Sequence, residues 1–338
     1  MEEGSSHVTV PPLRLLQVDL TDECPLFCVH CSNSSGPARN THFPIETLLA
    51  VIAEARELGL ERIVFSGGEP LRYPHLDSAL AAAKTAGVST AIFTTGIRDN
   101  KTRLPVSVKD WRNLARTGLV AAAFSVYAAP SHREHHNDVV RTVPATGDAF
   151  GVNEQAMKDA RSAGLAVDVH FIPSGVSVTD LPEIYSWVVG LRCSVLHLQI
   201  PTYQGRNKDR PSLQLNSSDE ARLKEVASDF RSIRGETEFY ISRFWLDRWN
   251  ASADFNCVAN LEQLIIRTDG TISPCNACKY GSVTLESENV LTEGTTLANL
   301  WRHSRILQEL RDARGQFYLP RRCEGVFAVF PRVEAFHG

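Results

Sequence analysis

Short apolar runs alternate with amphipathic segments through the first two hundred residues, and this alternation restricts the chain to few folds. The first amphipathic segment, residues 43–59, has apolar side chains at the i, i+3, i+4, i+7 spacing of a helix, with Pro44 near its start and Gly59 at its end. Strands that alternate with helices form βαβ units, so we expect a parallel sheet, which right-handed crossovers wind into an open, partial (β/α)6 barrel. The predicted strands cover residues 13–20, 62–66, 88–94, 119–126, 166–172 and 194–200, and the later helices 75–86, 108–117, 151–164 and 179–190.

The alternation stops after residue 201, where a smaller second unit is expected. Two apolar runs surround Asp269-Gly270, which is a strong signal for a two-residue hairpin turn. We therefore predict an α/β core domain followed by a small hairpin-plus-helix domain. The predicted domains are residues 1–215 and 216–338, with helices in the second over 218–232 and 296–311.

Charge and hydropathy exclude several classes of function. A net charge of −4 provides no basic footprint for nucleic acid and no polybasic membrane segment. The N-terminal stretch lacks the layout of a signal peptide, and no run of 18 apolar residues occurs in the sequence. We expect a cytoplasmic protein without nucleic-acid or membrane partners, whose cysteines are metal ligands or catalysts rather than disulfides.

Three of the eight cysteines crowd into the segment that follows the first predicted strand. Cys24, Cys28 and Cys31 are spaced C-x3-C-x2-C in DECPLFCVHCS. A structural zinc site takes four ligands, usually from paired CxxC motifs, so three thiols match it poorly. A [4Fe–4S] cluster has four irons, and three thiolates leave one iron open for a ligand that is not protein. The spacing therefore favours an open iron–sulfur site.

A glycine pair follows the second predicted strand, in FSGGEP. Gly67 and Gly68 allow the backbone to adopt positive φ and to approach a ligand closely. The motif alone is weak, since two glycines also make an ordinary turn. Both loops follow the carboxyl ends of successive parallel strands, however, so they project from the same rim, where barrels gather their ligands.

The segments LTDECPLFCVHC, GLERIVFSGGEPLRYPHL and AIFTTG together match the pattern of one family in order and spacing. Over residues 13–206 the chain resembles the radical S-adenosylmethionine (radical SAM) superfamily. The resemblance implies that Cys24, Cys28 and Cys31 hold a [4Fe–4S] cluster and that SAM binds its open iron. The family usually has an aromatic residue before the last cysteine, flanking the adenine, and this chain has His30 there. The other implied SAM contacts are Gly67, Gly68, Glu69, Thr94 and Ser125.

The resemblance also implies a reaction. An external one-electron donor of the flavodoxin or ferredoxin type reduces the cluster, SAM is cleaved to a 5′-deoxyadenosyl radical, and the radical takes a hydrogen atom from the substrate. Burial and hydrogen bonds to the sulfur atoms set the cluster potential. A closed, dry barrel interior is needed because the radical must be kept from water and from other C–H bonds.

The last quarter of the chain carries four more cysteines: Cys257, Cys275, Cys278 and Cys323. The spacing C-x12-G-x4-C from Cys257 to Cys275 resembles the SPASM/twitch class of C-terminal extensions, which carry auxiliary iron–sulfur clusters. Four cysteines suit one auxiliary [4Fe–4S] cluster, with zinc as the main rival. Cys278 either completes the ligand set, which its proximity to Cys275 favours, or stays free as a hydrogen-atom donor in an epimerisation. Cys193 is expected to be a buried structural thiol.

Two segments outside the motifs are candidates for substrate contact. SHREHH lies within residues 127–148, the longest stretch without predicted structure, and loops of that length are often functional. It contributes His132 and Arg133, although a solvated charged loop explains the same residues. IPTYQGR, after the sixth strand, contributes Tyr203 and Arg206, and an arginine there suits a carboxylate or a phosphate.

The preferred interpretation is an enzyme that acts on a small polar natural product, such as a sugar, aminocyclitol or nucleoside, by dehydrogenation, epimerisation or a related rearrangement. Only about twelve residues precede the first predicted strand, too few for a peptide-binding domain. The alternative is the same radical chemistry on a ribosomally made peptide. A third interpretation is a metal-binding sensor or scaffold without catalysis.

Overall fold

One sheet organises the described part of the computed structural model, which comprises residues 10–98, 104–141, 147–199, 201, 204–208, 210–230, 235–241, 249, 262–276, 288–305, 307–308 and 311. Its strands are β1 (Leu15–Thr21), β2 (Arg62–Gly67), β3 (Ser89–Thr94), β4 (Leu119–Val126), β5 (Ala166–Phe171), β6 (Val195–Leu198), β7 (Glu238–Ile241), β8 (Gln263–Ile266) and β9 (Ile272–Ser273). They lie in the order β7-β6-β5-β4-β3-β2-β1-β8-β9. The pairings from β7 to β8 are parallel, and the β8–β9 hairpin is antiparallel.

Helices connect the parallel strands as the alternating pattern predicts. They are α1 (Ile45–Glu57), α2 (Leu76–Thr85), α3 (Val108–Thr117), α4 (Arg133–Val139), α5 (Ala149–Ser162), α6 (Leu181–Gly190), α7 (Ser217–Phe230) and α8 (Leu297–His303). The predicted α/β fold, a partial barrel with an added hairpin and helix, is therefore confirmed. Of the helices described, none is both long and apolar enough to cross a membrane.

The two faces of the sheet differ in polarity. In β5, Val167, Val169 and Phe171 are buried and belong to the same core as the helices, whereas Asp168 and His170 point to the other face and are partly exposed. This alternation is what a strand with one apolar face produces. We call the second side the inner face, because it lines the concave side of the partial barrel.

The predicted C-terminal hairpin extends the core sheet. The hairpin turn contains Gly270 with φ of +83°, a backbone conformation that favours glycine. Strand β8 of the hairpin pairs in parallel with β1. Helix α8 then returns to α1, where Ala298 N donates to Glu54 Oε2 at 3.0 Å. These contacts join the β8–β9 hairpin and helix α8 to the core domain. The domain boundary near residue 215 remains a prediction.

The stretch 127–148 differs from the prediction, because much of it is helical. A 3-10 turn at Pro130–His132 leads directly into α4. The helix buries His136, whose ring packs against Tyr127 and Phe150 with centroids 5.7 and 5.3 Å away. Packing of His136 against Tyr127 and Phe150 stabilises this helix. The prediction missed it because a short charged segment has no helical periodicity of apolar residues.

Candidate active site

The cysteine loop, defined as residues 22–36, leaves the carboxyl end of β1 and closes on itself. Gly36 N donates to Asp22 O at 3.2 Å, so the two ends of the loop meet. Inside it, Cys31 N donates to Cys28 O at 3.3 Å in a tight turn. The predicted cluster ligands therefore share one compact loop on the rim of the barrel.

Two thiols of this loop, those of Cys24 and Cys28, lie where water stabilises a thiolate poorly. Burial raises the pKa of Cys28 to about 12, the neighbouring Cys31 sulfur raises it as well, and the positive charge of Arg206 opposes both. Burial also raises the pKa of Cys24 well above its usual range. Thiols of this kind lose their protons when a cationic group binds them, because the bound metal takes over the stabilisation of the negative sulfur.

This donor set fits the predicted [4Fe–4S] cluster. Cys24, Cys28 and Cys31 are all free of disulfide bonds, and the loop holds no other sulfur ligand. Across the described ranges, no three His, Cys, Asp or Glu side chains are grouped as ligands of a metal ion. The fit rests on the donor type, because thiolate sulfur is the ligand that iron–sulfur clusters take.

The glycine pair at the end of β2 brings its loop into backbone contact with the cysteine loop. Gly67 has φ of +122°, and a Cβ there would overlap Thr21 O. A Cβ on Gly68 would overlap Glu23 O. Glu69 N also donates to Glu23 O at 2.8 Å. The close approach that these glycines allow is therefore, in this structure, an approach of one loop to the other.

Glu69 connects β2 to β3 through a fully buried carboxylate. Its Oε1 accepts from Thr94 Oγ1 at 2.7 Å and from Leu71 N at 3.2 Å, and its Oε2 accepts from the main-chain N and the Oγ1 of Thr95, both at 2.7 Å. Burial raises the pKa of Glu69, and these hydrogen bonds oppose the rise. The predicted SAM residues Glu69 and Thr94 thus form one hydrogen-bonded unit.

Two further contacts fasten the cysteine loop to the glycine loop. Asn33 Nδ2 donates to Gly67 O at 2.9 Å and to Asp19 Oδ2 at 3.2 Å. Arg72 forms an ion pair with Glu23, with Nε donating to Oε1 at 2.8 Å. Neither Asn33 nor Arg72 was a candidate from the sequence, although Asn33 directly follows DECPLFCVHCS and Arg72 lies within GLERIVFSGGEPLRYPHL.

His30 and Ser125, the other SAM candidates, meet at Tyr127. The His30 ring lies 4.0 Å from the Tyr127 ring between centroids. Burial lowers the pKa of His30 to about 3, so its imidazole is neutral. The hydroxyl of Ser125 hydrogen-bonds Tyr127. Tyr127, directly after β4, therefore places an aromatic ring against His30, the position at which this chain departs from the usual aromatic residue of the family.

The substrate candidates of SHREHH are bound to other parts of the protein. His132 Nδ1 lies 2.8 Å from Oδ1 of the buried Asp180, and Arg133 forms an ion pair with Asp148. Both side chains are about half exposed, at 55% and 48%. Their predicted substrate contact remains a prediction, with a structural role now visible for each. Tyr203 lies outside the described residues.

Arg206 contacts the cysteine loop. Its Nε donates to Cys28 O at 2.8 Å, its Nη2 to Ser35 O at 2.7 Å, and its main-chain N to Cys31 O at 3.0 Å. These acceptors are main-chain carbonyls of the predicted cluster site. The geometry therefore favours a role at the cysteine loop over the predicted contact with a substrate anion.

The second cysteine group is described only at Cys275. This residue follows β9 and is partly buried, while Cys257, Cys278 and Cys323 lie outside the described residues. The adjacent Asn276 exchanges hydrogen bonds with Gln17 on the inner face of β1, at 3.1 and 3.3 Å. Cys275 therefore lies close to the inner face of β1.

Cys193 is buried, as predicted for a structural thiol, with 3% of its surface exposed. Burial raises its pKa to about 12.

The sequence motifs missed a polar row on the inner face. The strand register pairs Ser125 with His170 and His170 with His197. Gln199 Nε2 lies 3.1 Å from Nδ1 of both imidazoles. Burial lowers the pKa of His170 to about 3 and of His197 to about 4, so both rings are neutral. The sequence signal that could have identified this row is the alternation of polar and apolar residues in these strands. In DVHF, Asp168 and His170 are two positions apart, and in VLHLQ, His197 and Gln199 are two positions apart.

Comparison with known families gives a direct match. The Radical SAM superfamily matches residues 18–188, which include the end of β1, the cysteine loop, the glycine pair and strands β2 to β5. The chain belongs to the radical SAM superfamily. The family assignment, the fold and the expected cofactors, a [4Fe–4S] cluster and SAM, are thereby confirmed.

Two curated relatives carry the name PqqA peptide cyclase. The protein from Streptomyces rochei is 25% identical over 87% of this chain and 77% of its own length. The protein from Gluconobacter oxydans (strain 621H) is 25% identical over 93% of this chain and 82% of its own. Both matches extend well past residue 188, as expected for a radical SAM protein with a SPASM/twitch-like C-terminal extension.

Two solved structures share the fold. Streptococcus suis SuiB bound to precursor peptide SuiA has a TM-score of 0.68 and 17% identity, over 89% of this chain and 67% of that one. Native anSMEcpe with bound AdoMet has a TM-score of 0.69 and 14% identity, over 90% of this chain and 85% of that one. At these identities the likeness concerns the fold.

The glycine contact leads to a prediction about stability. In Gly68→Ala, the new methyl group overlaps main-chain atoms of Glu23, so the two loops must separate; we expect a loss of roughly 1–3 kcal/mol. Urea unfolding of the anaerobic protein measures it, together with bound iron, which we expect to fall. The control is Gly190→Ala, where the methyl group meets no atom within 4 Å. Equal midpoints for Gly68→Ala and wild type would contradict the prediction.

Proposed function

We propose that this radical SAM enzyme removes a hydrogen atom from a ribosomally made peptide. The observation that carries the chemistry is the backbone contact between the three-cysteine loop and Gly67-Gly68-Glu69, which joins the predicted cluster ligands to the predicted SAM loop. When bound, a [4Fe–4S] cluster supplies the electron that cleaves SAM to the 5′-deoxyadenosyl radical.

The residues of this chain bind and orient the reactants in this proposal. The Glu69–Thr94–Thr95 unit and Ser125 position SAM, and His30 with Tyr127 borders its adenine. The buried core behind β1–β6 excludes water from the outer side of the sheet, so the radical meets only the inner face.

The relatives favour a peptide over a small polar natural product. Both curated relatives are named for a peptide, and the matched SuiB structure contains a precursor peptide. The row of His170, His197 and Gln199 beside Ser125 is available to bind such a substrate. Neutral imidazoles and an amide make directional hydrogen bonds without needing a charged partner, which suits peptide carbonyl and amide groups.

An auxiliary cluster at Cys257, Cys275, Cys278 and Cys323 completes the proposal. With Cys278 as a ligand, the four cysteines would hold a cluster able to take one electron from the substrate radical while a proton is released, and the net reaction would be an oxidation. With Cys278 free, its thiol would return a hydrogen atom to the substrate radical, and the net reaction would be an epimerisation; the thiyl radical left on Cys278 would then take one electron from the external donor and a proton. We favour the oxidation, because Cys278 is three residues from Cys275.

The first prediction separates an enzyme from a sensor. Wild-type protein, reconstituted and reduced without oxygen, is expected to convert SAM to 5′-deoxyadenosine, and Cys28→Ala should lower the rate at least a hundredfold because the cluster loses a ligand. Chromatographic quantification of 5′-deoxyadenosine measures it. The matched control is Cys193→Ala, which removes a buried thiol elsewhere and should retain the activity. Intact SAM in the wild-type reaction would establish the non-catalytic alternative.

The second prediction concerns the substrate. Peptides synthesised from short reading frames beside the gene are expected to include one that raises 5′-deoxyadenosine formation several-fold and loses two hydrogens, as mass spectrometry would detect. Sugars, aminocyclitols and nucleosides should leave the rate at its basal value. Turnover of one of these small molecules, with every peptide unchanged, would restore the small-molecule interpretation.

The third prediction concerns Cys278. Two [4Fe–4S] clusters contain about eight irons, so we expect Cys278→Ala to fall towards about four as the auxiliary cluster is lost. Cys275→Ala is the control for loss of an auxiliary ligand. Unchanged iron in Cys278→Ala would show that Cys278 is not an obligatory ligand and would favour the hydrogen-donor role.

A further inference from the structure

We infer that Arg206 is a positioning residue of the cluster site: it clamps the cysteine loop from the loop after β6 and raises the reduction potential of the bound cluster. This inference goes beyond the hydrogen abstraction proposed above and rests on it only for the presence of a cluster at Cys24, Cys28 and Cys31. It holds for a peptide or a small-molecule substrate alike.

The first support is the pattern of hydrogen bonds. Arg206 reaches three carbonyls spread along the cysteine loop: those of Cys28, Cys31 and Ser35, at 2.8, 3.0 and 2.7 Å. Two of these acceptors belong to predicted cluster ligands, and the third lies just beyond the last one. One residue, 178 positions away from Cys28 in the sequence, therefore restrains the whole turn that carries two of the three sulfurs.

The second support is the packing of the guanidinium plane. Its central carbon lies 4.0 Å from the centroid of the Phe27 ring. Phe27 is itself held by its main-chain N, which donates to Arg141 O at 2.6 Å. A flat guanidinium stacks on an aromatic ring while its edges donate to two carbonyls, and the ammonium of lysine does not reproduce that geometry.

The third support comes from the preceding residue. Gly205 has φ of +57°, and a Cβ there would overlap Ser32 O and contact Cys31 O. The backbone after β6 therefore lies directly on the cysteine loop. This contact is a counterpart, on the other side of the loop, of the contact made by Gly67 and Gly68.

Electrostatics gives the clamp an effect on reduction. Arg206 places its guanidinium charge at the cysteine loop, with Nε 2.8 Å from the carbonyl oxygen of Cys28, in a partly buried site where solvent screens charge less than in bulk water. Reduction adds one negative charge to a cluster, and a nearby positive charge stabilises the reduced form. Removal of that charge should therefore make the cluster harder to reduce.

The test uses the full chain, reconstituted anaerobically, with a potentiometric titration read by electron paramagnetic resonance. Only a cluster with an open iron binds SAM, so the signal that changes on adding SAM reports the cysteine loop and not the auxiliary cluster. For Arg206→Gln we expect a midpoint more negative by about 59 mV or more, which is a tenfold fall in the ratio of reduced to oxidised cluster at a fixed potential. Iron release to a chelator should be several-fold faster.

Arg206→Lys separates the two parts of the inference. It retains the charge and loses the planar fork, so its midpoint should stay near wild type while its iron release is as fast as in Arg206→Gln. The control is Arg161→Gln, because Arg161 also donates to a main-chain carbonyl, that of Arg192, but on the far helix α5. It should match wild type in both measurements.

Each outcome decides between the alternatives. Midpoints and iron-release rates equal to wild type in both Arg206 variants would overturn the inference. If Arg206→Gln binds no iron, the release rate of Arg206→Lys decides, and a wild-type rate there would overturn the clamp. If wild-type protein shows no signal that responds to SAM, the proposed function fails instead.

Discussion

A contact between two backbones, Gly67-Gly68 on one loop and Thr21 to Glu23 on the other, is the constraint on which the site depends. Any side chain at either glycine would overlap main-chain atoms, so the separation of the loops is set by the absence of a Cβ. Glu69 then extends the restraint to Thr94 at the end of β3 and to Thr95 directly after it. The cluster loop and the predicted SAM residues therefore share one hydrogen-bonded framework, which holds a site in place before its ligands bind.

Much of this framework was predictable because it depends on sequence patterns that extend over only a few residues. Cysteine spacing, paired glycines and the alternation of strands and helices all act within a few residues, and the structure has them where the patterns place them. Arg206 was predicted as a substrate contact, since nothing local shows that its partners are carbonyls 171 and 178 residues away. Helix α4 was missed for the same reason: burial of His136 between two aromatics is a tertiary event.

The inner face explains why the substrate is harder to derive than the radical chemistry. Producing the radical needs a few groups at defined spacing, and those groups recur wherever the chemistry does. In the proposed function, substrate recognition depends on which polar side chains alternate inward along β5 and β6, here His170 and His197. Such residues are neutral hydrogen-bonding groups without a motif, and function lies in this site rather than in the fold.

Strand β6 belongs to both parts of the site. His197 in the strand and Gln199 just after it lie on the inner side beside the predicted SAM position, and Gly205 and Arg206, six and seven residues after Gln199, contact the cysteine loop. The cysteine loop is thus held from the β2 side by glycines and from the β6 side by the clamp. The strand that borders the proposed substrate surface is therefore followed closely in sequence by Arg206, which donates to the carbonyls of two predicted cluster ligands, Cys28 and Cys31.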